Sequence, residues 1–328
     1  MATLQKEFKE FHSKIKLGTY KENKKLRDKR DLLINELREK LAGEKVPDSD
    51  KSLTFKKFDQ GSYAMNTGIK PKDDDYDIDV GVIFDITNDE YDSHKLKKLV
   101  HRKLDSQENR TVDFNTPCIT VRYSDGYHVD LAIYSDNNDD CHIAWGREHA
   151  KKNREWYKSE PEELKQWVAD VSDDAKEAEQ FRRCVRYLKN WKSKKFSSDG
   201  NVAPPSIGLT IQARNGFQYH GENDLEALIH IVSKMKKDFS GGLIFERSIS
   251  VPLPVAPHKN VYYKMTSNQI DKFYEKLEAL LEVLETVRDE DSDYEASKLL
   301  RKVFDGFPPI EDSKVSNTAP IVLTGNNA

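Results

Sequence analysis

The spacing of apolar residues predicts helices at both ends of the chain. From Leu4 to about Leu41, apolar residues recur every three or four positions, which is the period of a helix that buries one face. A break is expected near Gly18, because glycine weakens a helix. The same period returns after Asp173 and predicts further helices at residues 175–194, 206–215, 225–239, 268–287 and 292–304.

The middle of the chain has the shorter period of β-strands. Residues 52–62 predict a strand that enters a Gly-Ser turn, and residues 77–85 predict a second, apolar strand. A helix is predicted at 94–104, and residues 118–135 predict a hairpin because two β-rich runs flank Asp125-Gly126. The predicted fold is α+β. A first lobe has a mixed sheet with helices, a second lobe is all helical, and the long N-terminal helix packs along both.

Composition narrows the class of protein. The chain has 328 residues, enough for about two domains, and no apolar run is long enough to span a bilayer. The three cysteines are too few for a disulfide framework or a four-cysteine zinc site, and the N-terminal residues lack an apolar signal core. The net charge of −4 argues against a general nucleic-acid binder. We therefore expect a cytoplasmic protein with no membrane partner and without activation by nucleic acid.

The strand at 77–85 begins with two aspartates in an otherwise apolar run. Residues two apart in a strand share a face, so Asp77, Asp79 and Gly81 lie on one side, and Ile78, Val80 and Val82 lie on the other, toward a core. Two carboxylates about 7 Å apart along a strand can reach a pair of divalent metal ions. Asp75 and Asp77 are an alternative pair, but the apolar run that starts at Ile78 favours the later one. Gly81 is expected to leave room beside the carboxylates.

The hairpin supplies a third carboxylate. In "HVDLAIY", Val129, Leu131 and Ile133 share the apolar face, whereas Asp130 lies on the other face with His128. Aspartate is uncommon in strands, so strand propensity gives no reason for Asp130. We predict that Asp130 joins Asp77 and Asp79 as a metal ligand and catalytic residue.

A Gly-Ser pair precedes the acidic strand. Gly61 allows a close approach of the backbone, and Ser62 offers a hydroxyl and an N–H at a strand-to-helix turn, where phosphate oxygens bind well. A phosphate-binding turn next to metal-binding carboxylates predicts a site for a nucleoside triphosphate.

These residues resemble the polymerase-β type of nucleotidyltransferase. In that superfamily an apolar strand, Gly-Ser, a helix, Asp-x-Asp and a third strand aspartate follow in this order. Within it the chain is most similar to the bacterial cyclic-oligonucleotide synthases, relatives of cyclic GMP–AMP synthase and oligoadenylate synthase that serve in anti-phage signalling. The motifs that carry this likeness, over about residues 1–310, are "QGSYAMNTGIKP", "DYDIDVGVIFD", "HVDLAIY", "FRRCVRYLKNWK" and "PPSIGLTIQA".

The resemblance implies a domain organisation and an activity. It implies a catalytic lobe at residues 1–165, a helical lobe like that of oligoadenylate synthase at 166–310 and a flexible tail at 311–328. The cofactor would be two Mg²⁺ ions, with Mn²⁺ as a substitute, and the substrates would be ATP or other nucleoside triphosphates. The activity would be synthesis of a cyclic di- or trinucleotide with release of pyrophosphate.

The resemblance also assigns roles to individual residues. Gln60, Gly61 and Ser62 would bind the nucleotide at the first turn. Lys189 and Ser206 in the second lobe would hold the triphosphate. The small C-terminal residue Ala328 would suit a ubiquitin-like conjugation enzyme as partner. Enzymes that modify an antibiotic, AMPylate a protein or extend an RNA end share the same parts and remain alternatives.

Overall fold

The computed structural model describes residues 4–18, 20–72, 75–105, 110–138, 140–197, 202–242 and 245–312. The predicted conjugation site at Ala328 lies outside these ranges. None of the helices in these ranges could span a bilayer, since each is too short or too polar.

The N-terminal helix is broken near Gly18, as predicted. It forms α1 (Gln5–Ile15) and α2 (Tyr20–Leu41). The first lobe then continues through β1 (Phe55–Asp59), α3 (Gly61–Ala64), β2 (Tyr76–Phe84), α4 (Ser93–Leu104), β3 (Arg110–Phe114), β4 (Ile119–Tyr123), β5 (Tyr127–Asn137), β6 (Asp140–Ala144), β7 (Trp156–Lys158) and α5 (Pro161–Ala169).

The second lobe is built mainly from helices. It contains α6 (Ala175–Lys195), α7 (Ser206–Gly216), α8 (Asp224–Lys236), β8 (Phe239–Gly242), β9 (Phe245–Ile249), α9 (Ser267–Asp289) and α10 (Asp293–Val303). Strands β8 and β9 form an antiparallel hairpin that the pattern of apolar residues did not predict. The glycines of β8 and the bulge in the hairpin hide the two-residue period that identifies a strand.

The sheet of the first lobe is mixed, as predicted. Its strands lie in the order β1-β2-β5-β4-β3, and β6 pairs with both β5 and β7. Strands β2 and β5 run parallel, whereas the other pairs in this sheet are antiparallel. The parallel pair is at the centre of the sheet, and it is this pair that carries the predicted carboxylates.

Each lobe has its own apolar core. In β2, Ile78, Val80 and Val82 are fully buried on the face opposite Asp79, and they share a core with α2 and α4. The core of the second lobe is formed by α6 to α10, and α1 contributes Phe8 and Phe11 to it. The two halves of the N-terminal helix therefore pack on different lobes, which agrees with the prediction of a helix along both. The domain limits at residues 165 and 310 stay a prediction.

A buried ion pair and the hydrogen bonds around it join three helices of the second core. The Asp224 carboxylate is fully buried at the start of α8 and accepts two hydrogen bonds from the Arg183 guanidinium, each 2.7 Å long. Tyr187 donates to the same carboxylate over 2.9 Å. The backbone N–H of Asp224 donates to the Gln5 side chain over 2.8 Å, which connects α1 to the network.

We expect Asp224→Asn to destabilise the protein by roughly 3–5 kcal/mol, because it leaves the Arg183 charge buried without its counter-ion. Urea unfolding at neutral pH measures the effect. Asp293→Asn is the matched control, since Asp293 also begins a helix but is exposed. We expect the control to change the stability by less than about 0.5 kcal/mol. Equal stability of the two variants would contradict a stabilising role for the Asp224 carboxylate.

Candidate active site

The parallel pairing of β2 with β5 places the predicted carboxylates side by side. Asp79 lies opposite Asp130. Asp77, two residues earlier on the same face of β2, lies opposite His128. Neighbouring strands are about 4.8 Å apart, so these are adjacent side chains on one face of the sheet. Asp75 precedes β2, and its exposed carboxylate contacts the His128 ring at 3.0 Å. The fold therefore groups Asp77, Asp79 and Asp130, and leaves Asp75 at the edge.

The carboxylates disfavour one another's charge. Burial raises the pKa of Asp79 to about 7, and repulsion from Asp77 and Asp130 adds to the rise. The pKa of Asp77 is also raised, first by the dense protein around it and then by Asp130, although the side chain still reaches solvent. The cation of Lys189 lowers both values and offsets part of the repulsion.

This electrostatic state fits a divalent cation. Clustered carboxylate oxygens are the ligands that Mg²⁺ prefers, and a bound cation would remove the repulsion that raises the pKa of Asp79. Among the described residues, however, no three His, Cys, Asp or Glu side chains are already gathered closely enough to hold an ion. The three aspartates are thus neighbours in register on one face of the sheet.

The Gly-Ser turn lies directly against the acidic strand. Gly61 has φ +67°, and a Cβ atom at this position would lie 1.8 Å from Oδ2 of Asp79. The backbone N–H of Gln60 donates to the Asp79 carbonyl over 3.3 Å, and the Gln60 side chain accepts a 2.9 Å hydrogen bond from Tyr134. Ser62 follows in the short helix α3. The predicted phosphate-binding turn and the predicted metal ligands therefore meet at one place.

The space beside Gly81 is used differently from our expectation. A Cβ atom on Gly81 would lie 2.1 Å from the Phe58 ring, so it is this ring that fills the space. Phe58 pairs with Gly81 across β1 and β2, and its ring packs on Tyr134 at 5.4 Å. Gly81 therefore makes room for the Phe58 ring, and the prediction that it leaves open space beside the carboxylates is wrong.

Lys189 reaches the junction between the two lobes. Its ammonium group is buried and donates to the Thr67 carbonyl over 2.9 Å and to the Thr67 hydroxyl over 3.0 Å. Burial lowers the pKa of Lys189 to about 7, while Asp77 and Asp79 act in the opposite direction. Arg186, one turn earlier on α6, donates to the carbonyls of Asn66 and Gly68. Two cations of α6 thus hold the loop that follows α3.

Ser206 does not contact Lys189, although the two were predicted to act together. Ser206 begins α7, and its hydroxyl accepts a 2.8 Å hydrogen bond from Lys192. Lys192 is a residue that sequence reasoning missed. The signal was present, because Arg186, Lys189 and Lys192 are three apart and share one face of α6.

The segment that contains the Gly-Ser turn and the three aspartates matches a known protein family. Residues 55–134 match the family model described as "Cyclic GMP-AMP synthase DncV-like, nucleotidyltransferase domain". This segment begins at β1 and contains the Gly-Ser turn, Asp77, Asp79 and Asp130.

Solved structures match over both lobes. The crystal structure of the Vibrio cholerae DncV cyclic AMP-GMP synthase, a prokaryotic cGAS homologue, is 18% identical and superimposes with a TM-score of 0.74 over 93% of this chain and 96% of that chain. A structure of the same synthase with GTP and 5MTHFGLU2 gives the same identity, coverage and TM-score. Its complex with a linear intermediate, pppA(3′,5′)pG, is 17% identical and gives a TM-score of 0.75 over the same shares of the two chains.

The arrangement of strand, Gly-Ser turn and paired aspartates is thus found in a segment that a specific family model recognises, within a fold shared across both lobes. Residues 55–134 thus match a family of DncV-like nucleotidyltransferase domains, and the chain as a whole has the fold of the Vibrio cholerae synthase.

Proposed function

We propose that this protein makes a cyclic di- or trinucleotide from nucleoside triphosphates and releases pyrophosphate. The observation that carries the proposal is the register of β2 and β5, which sets Asp79 beside Asp130 and next to the turn with Ser62. The likeness to a synthase solved with GTP and with a linear dinucleotide intermediate supports this substrate class. A role in anti-phage signalling, conjugation at Ala328 and a cytoplasmic location stay predictions from the sequence.

Asp77, Asp79 and Asp130 would hold the divalent ions. Bound Mg²⁺ would neutralise the triphosphate and lower the pKa of the attacking ribose hydroxyl. Asp130 would accept the proton of that hydroxyl through its second oxygen, and the hydrogen bond from Thr120 to Oδ1 supports this division of the two oxygens. The hydroxyl then attacks the α-phosphorus, and pyrophosphate leaves.

The triphosphate would be held from both lobes. Gln60, Gly61 and Ser62 belong to the turn of the first lobe, and Lys192 and Ser206 form a donor pair in the second. Lys189 is fixed to Thr67 and lies within electrostatic reach of Asp77 and Asp79. We assign Lys189 to joining the lobes and balancing the carboxylates, and we assign phosphate binding to Lys192 with Ser206.

The product decides between this function and its alternatives. The purified protein is incubated with the four ribonucleoside triphosphates and Mg²⁺ or Mn²⁺, treated with phosphatase and analysed by mass spectrometry. A phosphatase-resistant product with the mass of two or three cyclised nucleotides supports the proposal. A product that phosphatase degrades, or transfer of a nucleotide to an aminoglycoside or a protein, would favour the alternative acceptors.

Replacement of both strand aspartates, Asp77→Ala with Asp79→Ala, is expected to lower pyrophosphate release by at least roughly 1,000-fold, since several kcal/mol of charge stabilisation are lost at about 1.4 kcal/mol for each factor of ten. The circular dichroism spectrum should be unchanged, because the apolar face of β2 is intact. Asp85→Ala, at the exposed position just after the same strand, is the control and should keep its activity. A double variant that still releases pyrophosphate would contradict the assignment of Asp77 and Asp79 as metal ligands.

The raised pKa of Asp79 makes stability depend on pH and on metal. Between its ordinary pKa of 3.8 and about 7, the folded protein holds a proton more tightly than the unfolded chain, so the free energy of unfolding falls as pH rises. In EDTA, Asp79→Asn should therefore become increasingly more stable than the wild type from pH 4 to pH 7, with no further gain above pH 7.

Urea unfolding at pH 5, 6, 7 and 8 measures this difference. Added Mg²⁺ should stabilise the wild type at pH 8 and leave Asp79→Asn nearly unaffected. Asp85→Asn is the control for loss of a negative charge. A variant at Asp79 that is less stable than the wild type at pH 8 in EDTA would show that repulsion does not dominate there.

Lys192→Met should raise the KM for the nucleoside triphosphate about 10- to 100-fold, since a hydrogen bond to a charged group contributes about 1.5–3 kcal/mol. Ser206→Ala should act in the same direction, and the two effects should not add fully because the residues contact each other. Steady-state kinetics of pyrophosphate release measures KM. Lys302→Met, on the exposed surface of the same lobe, is the control. An unchanged KM for Lys192→Met would contradict this assignment and would favour Lys189 as the residue that binds phosphate.

A further inference from the structure

Asp130 is flanked on both sides by cross-strand neighbours. Asp79 lies opposite it on β2, and Thr120 lies opposite it on β4. The Thr120 hydroxyl donates to Oδ1 of Asp130 over 2.6 Å, and Thr120 is 2% exposed. The catalytic carboxylate is therefore held by a buried hydroxyl on the side away from its charged neighbour.

The direction of this hydrogen bond is fixed by the groups behind Thr120. The Asn115 side-chain amide donates to the Thr120 oxygen over 2.9 Å, and an amide N–H can only donate. The Cys118 sulfur also approaches the same oxygen at 3.7 Å. A threonine hydroxyl has one proton, and the carboxylate of Asp130 can only accept when ionised. The proton therefore points to Asp130, and the amide behind it polarises the bond in that direction.

The turn that carries Asn115 is itself anchored. Lys97 on α4 is 1% exposed, and its ammonium group donates to the carbonyls of Asn115 over 2.6 Å and Thr116 over 2.8 Å. It also reaches the Gly146 carbonyl over 3.2 Å. A chain of hydrogen bonds thus runs from a buried cation through the β3–β4 turn to one oxygen of Asp130.

We propose that Thr120 is a positioning residue for catalysis, and that its hydroxyl fixes the rotamer of Asp130 so that the second oxygen faces the metal and substrate side. The proposal rests on the proposed function. Without this hydrogen bond, repulsion from Asp79 turns Asp130 away, and the carboxylate then has to be reordered each time an ion binds. Neighbours that orient a ligand in this way typically change metal affinity or activity by about 10- to 100-fold.

The test compares Thr120→Val, which keeps the shape of the side chain and removes the hydroxyl, with Thr120→Ser, which keeps the hydroxyl. Thr111→Val is the matched control, because Thr111 lies in the same sheet at an exposed position. Asp130→Asn shows the effect of losing the carboxylate itself. Two quantities are measured for each protein: Mn²⁺ binding to the nucleotide-free protein by calorimetry, and kcat and KM for pyrophosphate release.

We expect Thr120→Val to weaken Mn²⁺ binding and to lower kcat, each by about 10-fold or more, with the triphosphate KM within about twofold of the wild type. Thr120→Ser should restore both to within about threefold, and Thr111→Val should equal the wild type. A folded Thr120→Val protein with wild-type Mn²⁺ affinity and kcat overturns the proposal. So does a Thr120→Ser protein as impaired as the valine variant, because that result assigns the effect to packing of the methyl group.

The two proposals fail in distinguishable ways. If the wild type makes no cyclic product, the proposed function falls, and Mn²⁺ binding by the same four variants still decides the role of Thr120. If the wild type makes the product and Thr120→Val has wild-type Mn²⁺ affinity and kcat, only the role of Thr120 is overturned.

Discussion

Two aspartates beside each other on adjacent parallel strands repel, and the structure around them is organised to keep them there. The row of apolar residues behind β2 fixes the face on which Asp77 and Asp79 lie. The absence of a side chain at Gly61 lets the turn approach Asp79. The cation of Lys189, which belongs to the second lobe, offsets part of the repulsion between the carboxylates. The strand register, the glycine and the buried lysine therefore all act on the same carboxylates: the register and the glycine set their positions, and the lysine offsets their charge.

Helix α6 is the element through which the second lobe acts on this site. Arg186 and Lys189 bind backbone carbonyls in the loop after α3, and Lys192 binds the first residue of α7. Their spacing by three residues places them along one side of the helix. A cation in this row can serve either to fix the lobes or to bind phosphate. Its role follows from its hydrogen-bond partner, and the residue type alone does not reveal it.

The sequence was sufficient for features that depend on local periodicity. The alternation in "DIDVGVIFD" predicted which face of β2 is buried, and Asp125-Gly126 predicted the hairpin that delivers Asp130. It was not sufficient for features set by distant contacts. The parallel pairing of β2 with β5 joins segments about 50 residues apart, and the Phe58 ring occupies the space beside Gly81 from another strand. Lys189 and Lys192 look alike on the helix, and only their tertiary contacts distinguish them, with Thr67 for Lys189 and with Ser206 for Lys192.

The position of α1 has a consequence for how the chain is made. Phe8 and Phe11 pack against Tyr187, and the Tyr187 hydroxyl also contacts the Phe8 carbonyl, across a separation of 179 residues. A ribosome adds about 5–20 residues per second, so these two aromatic rings emerge roughly 10–40 s before their partner on α6 exists. The second lobe therefore cannot complete its core until the first lobe has been fully synthesised, and during that interval α1 presents an apolar surface that a chaperone could bind.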